Sequence, residues 1–163
     1  MEENCQLAIF NIKNLYGNIS HSLGLQAVKY WLNNFYSNDN RISSDFILQA
    51  LELILKNNSF QFNGMFFRQK KGTAMGTKVA PVYATLTLGY LEPSLYRNIE
   101  NKFGIVAKKF FTTHYYRYLD EVLIIYNNKK ITNDDSDNYL NNLNLTQNFF
   151  SESFGNGVSF LDF

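Results

Sequence analysis

The chain has 163 residues, 45% hydrophobic and 17% aromatic, with a formal net charge of +1. That length and composition suit a globular domain with a real core and exclude a disordered chain. The near-neutral balance excludes a polybasic protein, so nucleic-acid binding would have to come from a local patch.

Cys5 is the single cysteine, which excludes an internal disulfide and a cysteine-built zinc site. A reducing, intracellular compartment is consistent with it, without choosing between nucleus and cytoplasm. No apolar run reaches membrane-spanning length and the opening Met1-Glu2-Glu3-Asn4 is acidic, so neither a membrane partner nor a signal peptide is expected.

Gln6 to Asn11 reads as a first strand, and Ile12 to Gly17 as a loop. Ser20 is placed to cap a helix from His21 to Tyr36, with Leu25, Val28, Leu32 and Phe35 at helical spacing. A polar turn separates it from a second helix, Ser44 to Lys56. Phe60 to Arg68 is a hairpin around Asn63-Gly64, the favoured pair for a type I′ turn. In Gln69 to Pro81, Gly72 and Gly76 let the backbone approach a ligand closely or serve an ordinary turn. A helix from Val82 to Glu100 is predicted next, with Pro81 near its first turn and Pro93 kinking or dividing it.

After a basic segment, Lys108-Lys109, two β-prone runs, Tyr115 to Tyr118 and Val122 to Tyr126, flank Asp120-Glu121. Asn127 to Lys130 reads as a turn, Thr132 to Leu143 as a helix, and Phe149 to Phe163 as a closing hairpin. The order predicts one α+β domain over residues 1–163, a mainly antiparallel sheet packed on helices.

Two carboxylates at the tip of a hairpin are costly to desolvate unless a cation meets them. Mg²⁺ takes one or two carboxylates plus substrate phosphates. An acidic pair is also, most often, a solvated turn. Lys70-Lys71 equally reads as a solvated face, and Tyr16 as a core aromatic. His21 and His114 have no carboxylate or cysteine at ligand spacing, so no metal is expected on them.

Four stretches together resemble one family. Phe10-Asn11-Ile12-Lys13-Asn14-Leu15-Tyr16 resembles Phe-Asp-Val-x-Ser-Leu-Tyr; Gly72-Thr73-Ala74-Met75-Gly76 with Ala80-Pro81 resembles Gly-Thr-Ala-Met-Gly-x-x-x-Ala-Pro; Arg117-Tyr118-Leu119-Asp120-Glu121 resembles Arg-Tyr-x-Asp-Asp; and Phe160-Leu161-Asp162 resembles a closing Phe-Leu-Asp. The chain is similar over nearly its whole length to the reverse transcriptase palm of Penelope-like retroelements. The resemblance implies a right-hand polymerase palm with part of the fingers. Upstream fingers, a thumb and the GIY-YIG endonuclease often found in that family are not matched by these residues. It further implies RNA-directed DNA polymerase chemistry, with a primer–template of RNA or DNA and deoxynucleoside triphosphates as partners and Mg²⁺ or Mn²⁺ as cofactor. A protein partner supplying thumb and fingers is also implied.

By the same resemblance Asp120 and Glu121 are metal ligands, and Asn11, Asp120 and Glu121 form the catalytic set. Tyr16 excludes a ribose 2′-hydroxyl, Met75 and Gly76 meet the incoming nucleotide, and Gly72 meets nucleic acid with Arg68, Lys70, Lys71 and Lys78 on its phosphates. Two metals about 3.5–4 Å apart carry the in-line displacement. Asn11 departs from that pattern: an amide oxygen can coordinate Mg²⁺ but is uncharged and cannot bridge two cations as a carboxylate does. Glu121 for Asp is a second departure. The expectation is therefore a weak or inactive polymerase palm; the alternative is a catalytically dead module that binds nucleic acid or protein.

Overall fold

The computed structural model describes residues 5–36, 42–127, 149–155 and 161. The chain divides into two compact units, Met1–Lys13 with Leu91–Phe163 (unit 1) and Asn14–Tyr90 (unit 2).

Unit 1 is built on a four-stranded antiparallel sheet. Its strands are β1 (Cys5–Ile12), β4 (Tyr115–Tyr118), β5 (Glu121–Asn127) and β6 (Phe149–Gly155), in the order β4-β5-β1-β6. Side chains alternate faces along a strand, so register decides what each face presents. Ala8 pairs with Ile124, Phe10 with Val122, Ile124 with Tyr115 and Val122 with Arg117. This face is the core: Ala8, Phe10, Val122 and Ile124 are buried. Helix α4 (Ala80–Thr113), which also contains the boundary between the units, contributes buried Leu95, Ile99 and Phe111 to unit 1. Phe111 and Tyr96 pack edge-on or tilted against Tyr115. Arg117 Nε donates to Glu92 Oε1 at 2.6 Å, and Tyr115 donates to the same oxygen at 3.3 Å.

The helix is longer than the predicted Val82 to Glu100 and absorbs the basic pair Lys108-Lys109. Its break falls at Gly104 (φ 85°), not at Pro93. Pro93 is exposed, and the carbonyl its ring leaves without a donor, that of Gly89, is only partly buried. Gly104 reaches a left-handed backbone that other residues adopt only under strain.

Unit 2 holds α1 (Leu15–Asn18), α2 (His21–Phe35), α3 (Ser44–Lys56), the hairpin β2 (Ser59–Phe62) with β3 (Met65–Arg68), and the first turns of α4. The four-residue α1 lies where a loop is predicted. Ser20 and Ser43 cap α2 and α3, each accepting a backbone N–H three residues on at 3.2 Å. Each cap contributes about 1 kcal/mol. Gly24 of α2 leaves room for the buried Tyr83 ring, whose hydroxyl donates to the Ser20 carbonyl at 3.3 Å. Asn63 (φ 49°) and Gly64 (φ 75°) make the predicted two-residue turn. The predicted helix at 132–143 and the second arm of the closing hairpin lie outside the described residues; its first arm is β6.

Candidate functional site

In unit 1, Asn11 of β1 stands directly opposite Glu121 of β5. The Ile12 N–H donates to the Asp120 carbonyl at 2.8 Å, so Asp120 is tied to the end of the same strand pair. The three positions implied as catalytic are therefore neighbours at one end of β1. Asp120 lies in the turn and Glu121 begins β5. Asn11 and Glu121 share a sheet face with Tyr118, which is paired to Glu121 and exposed, opposite to the core face.

The turn is strained. Leu119 has φ 51°, and Asp120 is not among the positive-φ residues. A positive φ at a central position of a two-residue turn favours glycine there. A leucine in that region costs about 1–2 kcal/mol. Such strain concentrates at functional sites. Sequence alone missed it, because no glycine marks the turn. Also missed was the partner of Glu121: its Oε2 accepts the Leu161 N–H at 3.1 Å.

The donor set does not fit a pair of divalent cations. Among the described residues no three His, Cys, Asp or Glu side chains gather as a metal cluster. Asn11 brings no charge, and one oxygen of Glu121 already accepts a backbone N–H. His21 bonds the Gly72 carbonyl (2.7 Å) and His114 the Phe110 carbonyl (2.8 Å), each within its own unit.

The other implied site residues lie in unit 2. The Tyr16 carbonyl accepts the Thr73 N–H at 2.8 Å. Gly72 is buried at φ 75°, and a Cβ there would stand 2.6 Å from the Tyr16 carbonyl oxygen and 2.7 Å from Gly17 Cα. What Gly72 admits is thus the chain's own Tyr16–Gly17 backbone. Gly76 (φ 92°) has open space around it, and Met75 is exposed. Arg68 is partly committed to the end of α3, with Nε to the Lys56 carbonyl at 2.6 Å. Lys70 and Lys71 are exposed. Lys78 is exposed on the rim of an apolar cleft of about 400 Å³ that includes Phe46, Ile47, Val79 and Val82.

No helix among the described residues is long and apolar enough to cross a membrane. No family model matches the chain, and no curated protein matches it. Among solved structures it is similar to apo telomerase from Candida tropicalis, truncated from its C-terminal domain, at 15% identity and a TM-score of 0.62. The match covers 95% of this chain and 31% of the telomerase chain. The fold is accordingly α+β, with helices and antiparallel strand pairing, and it is similar to that telomerase's over 95% of this chain.

Proposed function

We propose that this chain is a reverse transcriptase palm with part of the fingers, of the Penelope-like kind, in which nucleotidyl transfer is impaired at Asn11 and nucleic-acid binding persists. The observation that carries the reading is the meeting of Asn11, Asp120 and Glu121 at one end of β1 beside a strained Leu119 turn. Backbone strain of this kind clusters at functional sites, and Leu119 at φ 51° supports the reading on that ground. On this reading the ligands are an RNA or DNA primer–template and deoxynucleoside triphosphates, and Mg²⁺ or Mn²⁺ is the cation. Asp120 and Glu121 supply the remaining negative charge, and Tyr16, Met75 and Gly76 meet the nucleotide. With an uncharged amide at position 11, the chain cannot hold two cations as a bridging carboxylate would.

The test is primer extension with Mg²⁺ or Mn²⁺ in about the millimolar range, thumb and fingers being supplied by a related protein. The parent should extend at background, Asn11→Asp well above it, and Asp120→Asn added to Asn11→Asp should return to background. Extension by the parent that survives Asp120→Asn would refute the site.

A further inference from the structure

Sheet register puts Phe60, Phe62, Met65 and Phe67 on one face of the β2–β3 hairpin, because Phe60 pairs with Phe67 and Phe62 with Met65. All four are exposed, at 52%, 69%, 57% and 40%. The Phe60 and Phe67 rings stack, with centroids 5.6 Å apart and planes 21° from parallel, giving one broad aromatic surface. A two-stranded hairpin is marginal by itself in water. A four-position apolar face left open on it is a cost to stability that a bound partner removes.

Charge points to the partner. From Leu53 to Leu91 the sequence has no Asp or Glu, and it carries Lys56, Arg68, Lys70, Lys71 and Lys78, in a chain whose net charge is only +1. Lys56 is paired with Glu52. No described carboxylate pairs with Lys70, Lys71 or Lys78. The Gln69 N–H closes the open end of the hairpin on the Asn58 carbonyl at 2.9 Å, and Gln69 Nε2 donates to the Lys71 carbonyl. The free lysines therefore leave the hairpin at the end that carries the Phe60–Phe67 pair. Stacked aromatic rings beside free cations are the recognition elements for single-stranded nucleic acid: rings take the bases and lysines the phosphates. A purely apolar protein segment would cover the rings and leave the acid-free charge unanswered.

We infer that this hairpin face is a stacking platform for single-stranded nucleic acid, with Lys70 and Lys71 on the adjoining phosphates. The inference rests on the reading above only in that the chain meets nucleic acid. It requires neither a cation nor catalysis.

Fluorescence anisotropy on the full chain tests it, with a labelled oligouridylate and its deoxy counterpart about 12 nucleotides long and a blunt RNA–DNA duplex as probes. Phe60→Ala with Phe67→Ala should weaken single-strand binding about five- to a hundredfold for each base that loses its ring, and leave duplex binding unchanged. Phe67→Leu, which keeps apolar bulk without a ring, should weaken it as well; Phe67→Trp should restore it. Phe66→Ala, on the opposite face, should change nothing. Lys70→Glu with Lys71→Glu should weaken both probes and reduce the salt slope by about 2. Single-strand binding by Phe60→Ala/Phe67→Ala or by Phe67→Leu at the parent's affinity overturns the platform. If the parent binds the duplex in a salt-dependent way but ring variants leave single-strand binding untouched, the platform falls and the nucleic-acid reading stands. If the parent binds neither probe, both fall.

Discussion

Replacing Gly72 by alanine tests how the glycine-rich loop is held. The backbone there has φ 75°, where a Cβ costs about 1–2 kcal/mol. The new Cβ would lie 2.6 Å from the Tyr16 carbonyl oxygen and 2.7 Å from Gly17 Cα. Both are backbone atoms, so neither can swing away as a side-chain tip would. The two segments have to part by most of an ångström, which overpacks a buried spot at about 1–3 kcal/mol. The 2.8 Å bond from the Thr73 N–H to the Tyr16 carbonyl stretches with them, at about 1 kcal/mol. Together these predict a loss of about 3–6 kcal/mol, a large part of an ordinary domain's stability. Trp31 is the chain's one tryptophan, and its indole donates to the Leu86 carbonyl at 2.8 Å within the same unit. Its fluorescence in a urea titration therefore reports on unit 2, and the midpoint should fall by about 2 M. Gly76→Ala is the matched control: its φ is 92° but nothing lies within 4 Å, so only the backbone cost applies. Equal midpoints for the two variants would refute the close approach.

Arg117→Met removes the partner of Glu92 from a pair whose side chains are only 9% and 17% exposed. The stranded carboxylate should cost about 3–5 kcal/mol, and adding Glu92→Gln should recover much of it in a double-mutant cycle by chemical denaturation. Burial pushes the Tyr83 hydroxyl from 10.0 up to about 12, and burial, then the Glu92 charge, pushes Tyr115 higher still. The unfolded chain then releases these protons first, so stability should be full below about pH 10 and fall above it, by up to about 1.4 kcal/mol per pH unit for each group. Tyr83→Phe should flatten that fall in urea titrations taken across the alkaline range; an unchanged slope would contradict the burial account.

Local chemistry made several elements legible. Ser20 marks the start of α2, apolar spacing gives α3 its full length, and Asn63-Gly64 fixes the hairpin register. The acidic hairpin was equally readable from its β-prone runs, whereas the grouping of Asn11 with Asp120 and Glu121 was only what the family resemblance implied. Long-range features were not readable. That β1 lies inside the sheet between β5 and β6 depends on pairings far apart in sequence. The demand on Gly72 comes from Tyr16 and Gly17, more than fifty residues earlier. The length of α4 was hidden because Pro93 is tolerated where it stands, while Gly104 is a breaker only in its positive-φ conformation. The Leu119 strain was hidden because leucine carries no turn signal.

Asn11 also has a consequence for stability, separate from chemistry. It stands directly opposite Glu121, with Asp120 tied to the next residue of β1. An aspartate at position 11 would gather three carboxylates at one strand end, with like charges directly opposite each other. Such a cross-strand pair costs up to about 1 kcal/mol. Asn11→Asp should therefore be less stable than the parent by about that amount in EDTA. A cation binding only the folded aspartate form at a Kd of about 1 mM returns about 1.4 kcal/mol at ten times that concentration. Urea midpoints of the two proteins should then draw level or cross in excess Mg²⁺, while the parent barely responds. Glu121→Gln in the Asn11→Asp background should recover the loss in EDTA and abolish the response to Mg²⁺. Equal stability in EDTA together with no Mg²⁺ response would mean that the three side chains do not share a field, and the proposed site would fall with it. The predicted pattern means that a carboxylate at position 11 destabilises the metal-free fold, and that the amide is the more stable residue there when no cation is bound.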